Sequence, residues 1–433
     1  MRILIHTQYY PPEMGAPQAR LSDFARRLKD LGHEVQILTA FPNYPTGKIF
    51  GGYSGFYMNE GENGNCIHRS WVLPCNKRSF FHRLVSYLSF SISSLFVGLF
   101  KIPNVDIVFT ESPPLFLAAS GWFLARLKKA RWVLNVSDLW PDSAKYIGML
   151  SDRSLIYRVL EGMAHFLYRR AWLVTGQSKE IVAEIERQVP SVKSYHLSNG
   201  ADQTAFHPQK RSERSRQSFL KDGEIGFVYA GLHGFFQGLD QILLAAGKLQ
   251  DEPVRFILVG DGPEKKRLVE MSQALGLRNV TFLPSMAHDE IPSILASMDV
   301  AVISLKSSIL GAVPSKIYEA MASGIPVLLV ANGEGSHIVT QAGAGVAVPP
   351  GDADGLATAV RKMSCNPEWR QRMGQAGRIA VEKLYDRAKI AERFQALFLK
   401  EIRTSQGQRI RMQKKAYVSP RLERVPIGMP SGW

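Results

Sequence analysis

The chain has 433 residues and a formal net charge of +15. This length is large for a single hydrophobic core, so we expect two domains. The positive charge favours acidic partners such as nucleic acid, anionic lipid or phosphorylated substrates. Nucleic acid is the weakest of these, because the basic residues are scattered and no helix-turn-helix, zinc-finger or aromatic RNA-binding pattern accompanies them. The three cysteines have no metal-binding spacing and fit a reducing compartment.

The first half begins with a predicted strand over 2–7 and a predicted helix over 20–31, joined by a loop that contains Gly15. A strand, a glycine-containing loop and a helix bring backbone amides close to a phosphate, so Gly15 and Ala16 are candidate anion ligands. The alternative is that Gly15 serves only the turn. The loop is not a GxGxxG sequence, so a dinucleotide site of the dehydrogenase type is unsupported.

A basic segment, 77–83, precedes an uncharged apolar run at 84–100 that contains five serines. The run is close to the minimum length for crossing a bilayer, and the serines disfavour a crossing. Three interpretations stay open. The helix is buried or lines a cleft, it lies in a membrane surface with its basic flank on lipid phosphates, or it spans the membrane.

Asp138 directly follows a predicted apolar strand, 132–136. The loops after the carboxyl ends of parallel strands open into the ligand crevice, which makes Asp138 the candidate catalytic residue. It would stabilise charge or orient an acceptor, and the alternative is a cap of the following turn. Asp142 is better interpreted as a helix N-cap. Two carboxylates without further ligands seldom form a metal site, so we predict no metal here.

The second half starts again with alternating strands and helices, which predicts an α/β protein of two Rossmann-like, doubly wound domains that face a central cleft. A charged, polar segment at 208–224 has the composition of a linker. The predicted parts are an acceptor-binding domain over 1–200, a nucleotide-binding domain over 201–385, a helix over 386–402 packing back towards the first domain, and a basic tail over 403–433.

The stretch 313–327 predicts a short helix followed by a buried strand, with Ser315 as a possible cap. Lys316 and Glu319 lie on one face of that helix, one above the other. The helix start and Lys316 suit a phosphate, and Glu319 can accept hydrogen bonds from a ribose diol. An ordinary surface helix with a Lys–Glu pair is the alternative.

Two further loops of the second half follow predicted strands and should lie beside this helix. One loop, 231–238, carries His233 and Gln237, and the other, 333–336, carries Gly335 and Ser336. Exposed amides together with Lys316 would form a pocket suited to a nucleoside diphosphate.

At this point the sequence resembles the family 4 glycosyltransferases of the GT-B fold. The resemblance covers most of the chain and rests on these motifs: Tyr-Tyr-Pro-Pro-Glu at 9–13, Asp-Leu-Trp-Pro-Asp at 138–142, Ser-Asn-Gly-Ala-Asp at 198–202, Val-Gly-Asp-Gly-Pro-Glu at 259–264, the stretch 314–327, and Pro-Pro-Gly-Asp at 349–352. It is most similar to the bacterial subgroup that builds surface polysaccharides, such as the L-fucosamine transferases of O-antigen synthesis.

The resemblance implies retaining transfer from a nucleoside-diphosphate sugar, with UDP favoured and an N-acetylated deoxyamino sugar among the candidates. The acceptor would be a polyprenyl-diphosphate-linked glycan for O-antigen, capsule or exopolysaccharide. It implies no metal or other cofactor, and a cytoplasmic enzyme held peripherally on the anionic inner face of the cell membrane. Asp138 would be catalytic, and the donor-binding residues would be Gly15, Ala16, His233, Gln237, Lys316, Glu319, Gly335 and Ser336.

Two departures from the family pattern concern the donor. Glu319 matches the second glutamate of a paired motif, but Gly311 stands at the first. Many members also place Arg and Lys in the loop that here carries His233 and Gln237. A nucleotide-sugar 2-epimerase on the same fold and a non-catalytic nucleotide-sugar-binding protein are the alternative functions.

Overall fold

The structure of the chain, a computed structural model, describes residues 1–44, 46–62, 65–74, 80–146 and 150–400. Met1–Ile390 form one compact unit. The second unit starts at Ala391, and its described part is helical, with the rings of Phe394 and Phe398 4.6 Å apart. Helical backbone covers 387–400, close to the predicted 386–402, whereas the predicted basic tail at 403–433 lies outside the described residues.

The first half of the compact unit is an eight-stranded sheet in the order β3-β4-β2-β1-β5-β6-β7-β8. Within the described residues, β3 pairs antiparallel with β4 and the other pairs are parallel. The strands are β1 (Arg2–His6), β2 (Glu34–Ala40), β3 (Tyr57–Glu62), β4 (Asn65–Ser70), β5 (Ile107–Ser112), β6 (Arg131–Val136), β7 (Leu173–Gly176) and β8 (Ser194–His196). The helices are α1 (Ala16–Asp30), α2 (Phe80–Lys101), α3 (Leu115–Leu127), α4 (Asp142–Tyr146), α5 (Leu155–Arg170) and α6 (Lys179–Gln188).

The second half is a six-stranded parallel sheet in the order β11-β10-β9-β12-β13-β14. Its strands are β9 (Ile225–Ala230), β10 (Val254–Val259), β11 (Val280–Leu283), β12 (Val300–Ser304), β13 (Val327–Val330) and β14 (Gly345–Val348). Its helices are α7 (Glu213–Phe219), α8 (Asp240–Gly247), α9 (Lys265–Ala274), α10 (Ile291–Ser297), α11 (Lys316–Ala322), α12 (Glu334–Gln341), α13 (Ala353–Ser364) and α14 (Pro367–Ala380). The two parallel α/β sheets confirm the predicted fold class.

The hairpin β3–β4 was not predicted, because its segment is rich in glycine and asparagine and looks like a loop. β4 pairs in parallel with β2, and Ile67 of β4 is fully buried. Arg69 of β4 is also buried, and its guanidinium lies 5.2 Å from the centre of the Tyr53 ring and pairs with Glu60 on β3. Burial of Ile67 and the ion pair of buried Arg69 therefore stabilise the hairpin at this edge of the sheet.

Helix α2 turns most of its serines, together with Phe90 and Val97, towards the protein and exposes a stripe of other large apolar side chains. Ser94 Oγ lies 3.0 Å from Nε2 of His6 on β1, and Ser93 Oγ lies 3.0 Å from Ser70 Oγ on β4. The exposed side chains recur at helical spacing and are Val85, Leu88, Ile92, Phe96 and Phe100. The part His82–Lys101 has the length and composition of a membrane-crossing helix, by those two criteria alone.

The chain passes between the two halves at two places that lie side by side. The Ala201 N–H donates to the Tyr385 carbonyl at 2.9 Å, and the Arg387 N–H donates to the Ala201 carbonyl at 3.1 Å. Asp202 pairs with Arg27 of α1 at 2.9 Å. The predicted boundary near residue 200 falls at this double crossing.

We predict that buried His6 makes the protein lose stability as the pH falls below about 6.5. Desolvation lowers the pKa of His6 to about 3. Between about pH 6.5 and pH 3, His6 is therefore protonated in the unfolded chain and neutral in the folded chain. Unfolding becomes easier by at most about 1.4 kcal/mol per pH unit for this one histidine. The midpoint of urea unfolding, followed from about pH 7 to pH 5, measures the effect.

His6→Gln keeps a polar group facing Ser94 and removes one titration, so it should reduce the pH dependence by the share of His6 and leave the share of His68 and His233, whose pKa values burial also lowers to about 4. His337 is exposed, and the matched change His337→Gln should leave the dependence as it is. Equal pH dependence in both variants would contradict the assignment to His6.

Candidate active site

Helix α11 begins at Lys316, and Glu319 stands one turn later. Its opposite face is buried in the second half, with Ile317, Ala320 and Met321 at most 1% exposed. Lys316 and Glu319 are half-buried. Ser315 has helical backbone angles and makes no side-chain cap, so the predicted capping role is wrong. Core packing, and not a cap, therefore fixes the position of the two charged side chains.

The Lys316 ammonium lies beside Tyr229 of β9 and Gly231, the first residue after that strand. Its Nζ is 5.7 Å from the ring centre of Tyr229, and a Cβ on Gly231 would come within 2.7 Å of it. Burial lowers the pKa of Lys316, and the charge of Glu319 opposes this shift. Within the described part of the chain, Lys316 makes no ion pair. A half-buried cation that makes no direct ion pair is a candidate binding point for an anion.

His233 is fully buried, and its ring lies 5.9 Å from that of Tyr229 and 6.2 Å from that of Phe282. Burial lowers its pKa to about 4, so the ring is neutral near pH 7. Its backbone N–H donates to the Asp261 carbonyl at 2.8 Å, and its carbonyl accepts from the Glu264 N–H at 2.9 Å. The sequence suggested that His233 contacts the donor directly. Because its ring is fully buried, we assign His233 instead to the support of the loop 231–238.

Gln237 ends a short 3₁₀ turn in the same loop and is half-buried. A cation that the sequence reasoning missed lies beside it. Lys306 is exposed, its Nζ is 3.7 Å from the ring centre of Phe235, and its N–H donates to the Phe236 carbonyl at 2.9 Å. The strand-end rule could have found Lys306, because it follows β12 almost directly.

Helix α12 starts at the carboxyl end of β13. Gly333 precedes it with φ of 75°, and no side chain of the described residues caps the helix. Gly335 is buried, and Ser336 is half-buried. A Cβ on Gly335 would lie 3.3 Å from Ile317, so α12 and α11 pack closely here. The helix start, Lys316 and Glu319 therefore share one edge of the second sheet.

Gly15 and Ala16 lie at the start of α1 and are exposed, with extended backbone at Gly15 and no side-chain cap. The preceding loop is anchored by Glu13, whose role was not foreseen. The buried Glu13 carboxylate accepts the N–H groups of Asn43 and Tyr44 at 2.7 and 2.8 Å. Burial raises the pKa of Glu13, and these bonds counteract the rise. These hydrogen bonds therefore fix the loop before α1 against the segment that follows β2.

A second unforeseen group, Arg20 of α1, ties the carboxyl ends of three strands together. Its guanidinium donates to Glu111 at 2.5 Å, to Ser137 at 2.7 Å and to Gln177 at 2.7 Å. These partners end or follow β5, β6 and β7. The network fixes the backbone just before Asp138.

Asp138 follows β6 and is half-buried. Burial raises its pKa, the charge of Asp142 adds to the rise, and hydrogen bonds from Ser143 and the Leu139 amide lower it. Asp142 lies inside the first turn of α4, so the predicted N-cap is wrong. Its carboxylate instead accepts from Gln188 at 3.0 Å and from the Tyr157 hydroxyl, which links α4 to α5 and α6.

The two halves meet where the first turn of α6 touches the loops after β12 and β13. Glu180 accepts the Gly311 N–H at 2.8 Å, and Glu334 accepts the Glu180 N–H at 2.8 Å. Neither glutamate was identified from the sequence. Across the described ranges, no group of three His, Cys, Asp or Glu side chains is arranged to hold a metal ion.

The two halves match the sequence profiles of two families. The profile described as "Glycosyl transferase 4-like domain" matches residues 15–200, and that described as "Glycosyl transferases group 1" matches residues 210–380. A similar relative is the putative colanic acid biosynthesis glycosyl transferase WcaI of Escherichia coli K12. It is 28% identical over 387 residues, which cover 85% of this chain and 93% of that protein.

Solved structures with this fold include a sucrose-phosphate synthase from Thermosynechococcus elongatus. It has a TM-score of 0.73 and 18% identity and covers 93% of this chain and 100% of its own. HepE of Anabaena, solved in complex with UDP, has a TM-score of 0.69 and 17% identity, with 92% and 100% covered. At these identities the structures establish the fold, and the profiles with the relative establish the enzyme class. The chain is a glycosyltransferase of family 4, with the GT-B fold.

Proposed function

We propose that this enzyme moves a sugar from a nucleoside-diphosphate sugar to a polyprenyl-diphosphate-linked glycan in the synthesis of a bacterial surface polysaccharide, such as O-antigen, capsule or exopolysaccharide. The relative named for colanic acid biosynthesis supports the pathway class. The UDP complex of a protein with the same fold supports a UDP-sugar donor. An N-acetylated deoxyamino sugar, as in the L-fucosamine transferases, is the proposed transferred group.

The observation that carries this proposal is the half-buried ammonium of Lys316 beside Gly231, which forms no ion pair within the described residues and feels the charge of Glu319 only at longer range. A diphosphate would supply the missing negative charge, and the uncapped start of α12 would add backbone amides. Glu319, one turn along α11, would accept hydrogen bonds from the ribose hydroxyls. Lys306 would add a second positive charge at the rim of the site.

In the proposed reaction, the bond between the anomeric carbon and the diphosphate oxygen breaks, and its electron pair leaves with the diphosphate. A bond forms between the same carbon and an acceptor hydroxyl oxygen, the hydroxyl proton passes to the departing diphosphate oxygen, and the configuration is retained. Lys316 and the amides would stabilise the negative charge of the departing diphosphate. This charge is larger than the positive charge that develops on the sugar. Asp138 would orient the acceptor hydroxyl and stabilise the positive charge that develops on the sugar. The proposed reaction uses no metal ion.

We further propose that the enzyme binds the inner face of the cell membrane through an apolar face on α2, α3 and α5. The outer stripe of α2 continues onto α3, because the two helices pack so closely that a Cβ on Gly98 would lie 2.7 Å from Leu124. The exposed apolar side chains beyond α2 are Phe123 and Leu127 on α3 and Leu155, Ile156 and Val159 on α5. Exposed Arg83, Lys101 and Arg126 border this face and suit anionic lipid phosphates.

The proposed reaction predicts that Asp138→Asn transfers sugar roughly 100-fold more slowly while it binds free nucleoside diphosphate normally. A thermal-shift screen of UDP-, GDP- and dTDP-sugars first identifies the donor. Release of nucleotide is then measured with and without a lipid-diphosphate glycan. Release that requires the acceptor supports transfer, whereas conversion of the nucleotide sugar into its epimer without the acceptor supports the 2-epimerase. A variant that melts early but keeps its turnover would make Asp138 a structural residue.

The membrane proposal predicts that the double change Ile92→Glu and Phe96→Glu abolishes sedimentation with vesicles of phosphatidylglycerol and phosphatidylethanolamine. Both side chains are at least half exposed, so the fold should survive, and the new charges oppose insertion. Ile379→Glu changes an equally exposed apolar side chain on α14 and serves as the matched control. Wild-type binding should fall at high salt. Binding that ignores lipid charge, or survives the double change, would contradict the proposed face.

A further inference from the structure

Glu180, in the first turn of α6, reaches from the first half into the loops that carry the proposed donor site. One of its carboxylate oxygens accepts the Gly311 N–H at 2.8 Å, and Gly311 belongs to the segment between β12 and α11. The other oxygen lies against Gly333, where a Cβ would be only 3.2 Å away. The carboxylate therefore stands between the segments that lead to Lys316 and to the start of α12.

Both glycines are needed for this approach. Gly311 and Gly333 each have φ of 75°, a conformation that side chains rarely adopt. A Cβ on Gly311 would also lie 2.9 Å from Ser178 Oγ, at the cap of α6. The second half thus leaves a gap for the first turn of α6, and the carboxylate of Glu180 enters it.

The backbone of Glu180 is held from the other side. Its N–H donates to the buried carboxylate of Glu334 at 2.8 Å, and the side chain of Ser178 accepts from the Ile181 N–H at 3.1 Å. The first turn of α6 therefore has both a cap from its own chain segment and an acceptor from the second half. These hydrogen bonds fix the backbone position from which the Glu180 side chain extends.

The charge of Glu180 limits what it can bind. Among the described residues it forms no ion pair, and its one hydrogen bond from Gly311 leaves further acceptor capacity. A carboxylate repels a diphosphate, which Lys316 and the α12 amides suit instead. Hydroxyl and amide N–H groups are the partners that a carboxylate accepts from, and the transferred sugar carries them.

We propose that Glu180 is a specificity residue that accepts hydrogen bonds from the hydroxyl or acetamido N–H groups of the donor sugar. This inference rests on the proposed function and adds the residue that distinguishes a nucleotide sugar from the free nucleotide. Because Glu180 comes from the first half and Lys316 from the second, the sugar and the diphosphate are bound by opposite sides of the same site.

The test compares two dissociation constants by calorimetry, one for UDP and one for UDP-N-acetylglucosamine, with GDP and GDP-mannose as a second pair. In the wild type the sugar should tighten binding for at least one pair. Glu180→Ala should remove that gain, weakening the nucleotide sugar by roughly 10- to 100-fold while the free nucleotide changes little. Glu180→Gln, which keeps the shape, should lose a smaller part of the gain and guards against misfolding.

Glu334→Gln is the matched control, because it weakens the hydrogen bond between the halves and leaves the Glu180 carboxylate in place. If Glu180 only joins the halves, Glu180→Ala and Glu334→Gln will weaken free nucleotide and nucleotide sugar equally, and the inference is overturned. It is also overturned if Glu180→Ala leaves both affinities unchanged. A wild-type protein that binds none of the four probes would instead remove the UDP- or GDP-sugar donor of the proposed function, on which the inference rests.

Discussion

The structure depends on one constraint, which is that parallel strands end at the same edge of their sheet. All the strands except β3 obey it within their own sheets, so each segment that follows one of these parallel strands delivers its residues to that edge. In the first half this edge carries the start of α1 and Asp138. In the second half it carries Lys316, Glu319 and the start of α12. These positions lie outside the apolar cores, so polar and charged residues can occupy them and form a binding site.

The outer side of α2 is apolar, whereas a helix that covers a soluble core is polar on its outer side. Its buried side uses serine hydroxyls such as Ser93 and Ser94 to meet polar groups of the sheet, whereas its outer side exposes leucine, isoleucine and phenylalanine. Water would not favour that arrangement, because each exposed apolar side chain forfeits hydrophobic stabilisation. The proposed lipid surface would remove the conflict, and it would also bring the proposed lipid-linked acceptor to the first half.

The repeated strand–helix pattern was enough to predict the fold and the short helix α11 with the buried strand β13 after it. It failed where local composition opposed the tertiary structure, as in the glycine-rich hairpin β3–β4. It also could not place His233, because the aromatic rings of Tyr229 and Phe282 that enclose it come from separate strands. Glu180 was missed for a similar reason: its hydrogen-bond partner Gly311 is 131 positions away in the sequence. Long-range contacts of this kind leave no periodic signal.

The most direct test of the account is a calorimetric titration of UDP into the wild type and the variants Lys316→Met and Glu319→Gln. Each variant keeps the approximate shape of its side chain. Lys266→Met, on the exposed face of α9, is the matched control. The account predicts that each site variant loses about 1.5–3 kcal/mol of binding free energy with an unchanged melting temperature, and that the control binds normally. Equal UDP affinity in all four proteins would contradict the assignment of the diphosphate and ribose to this edge of the second sheet.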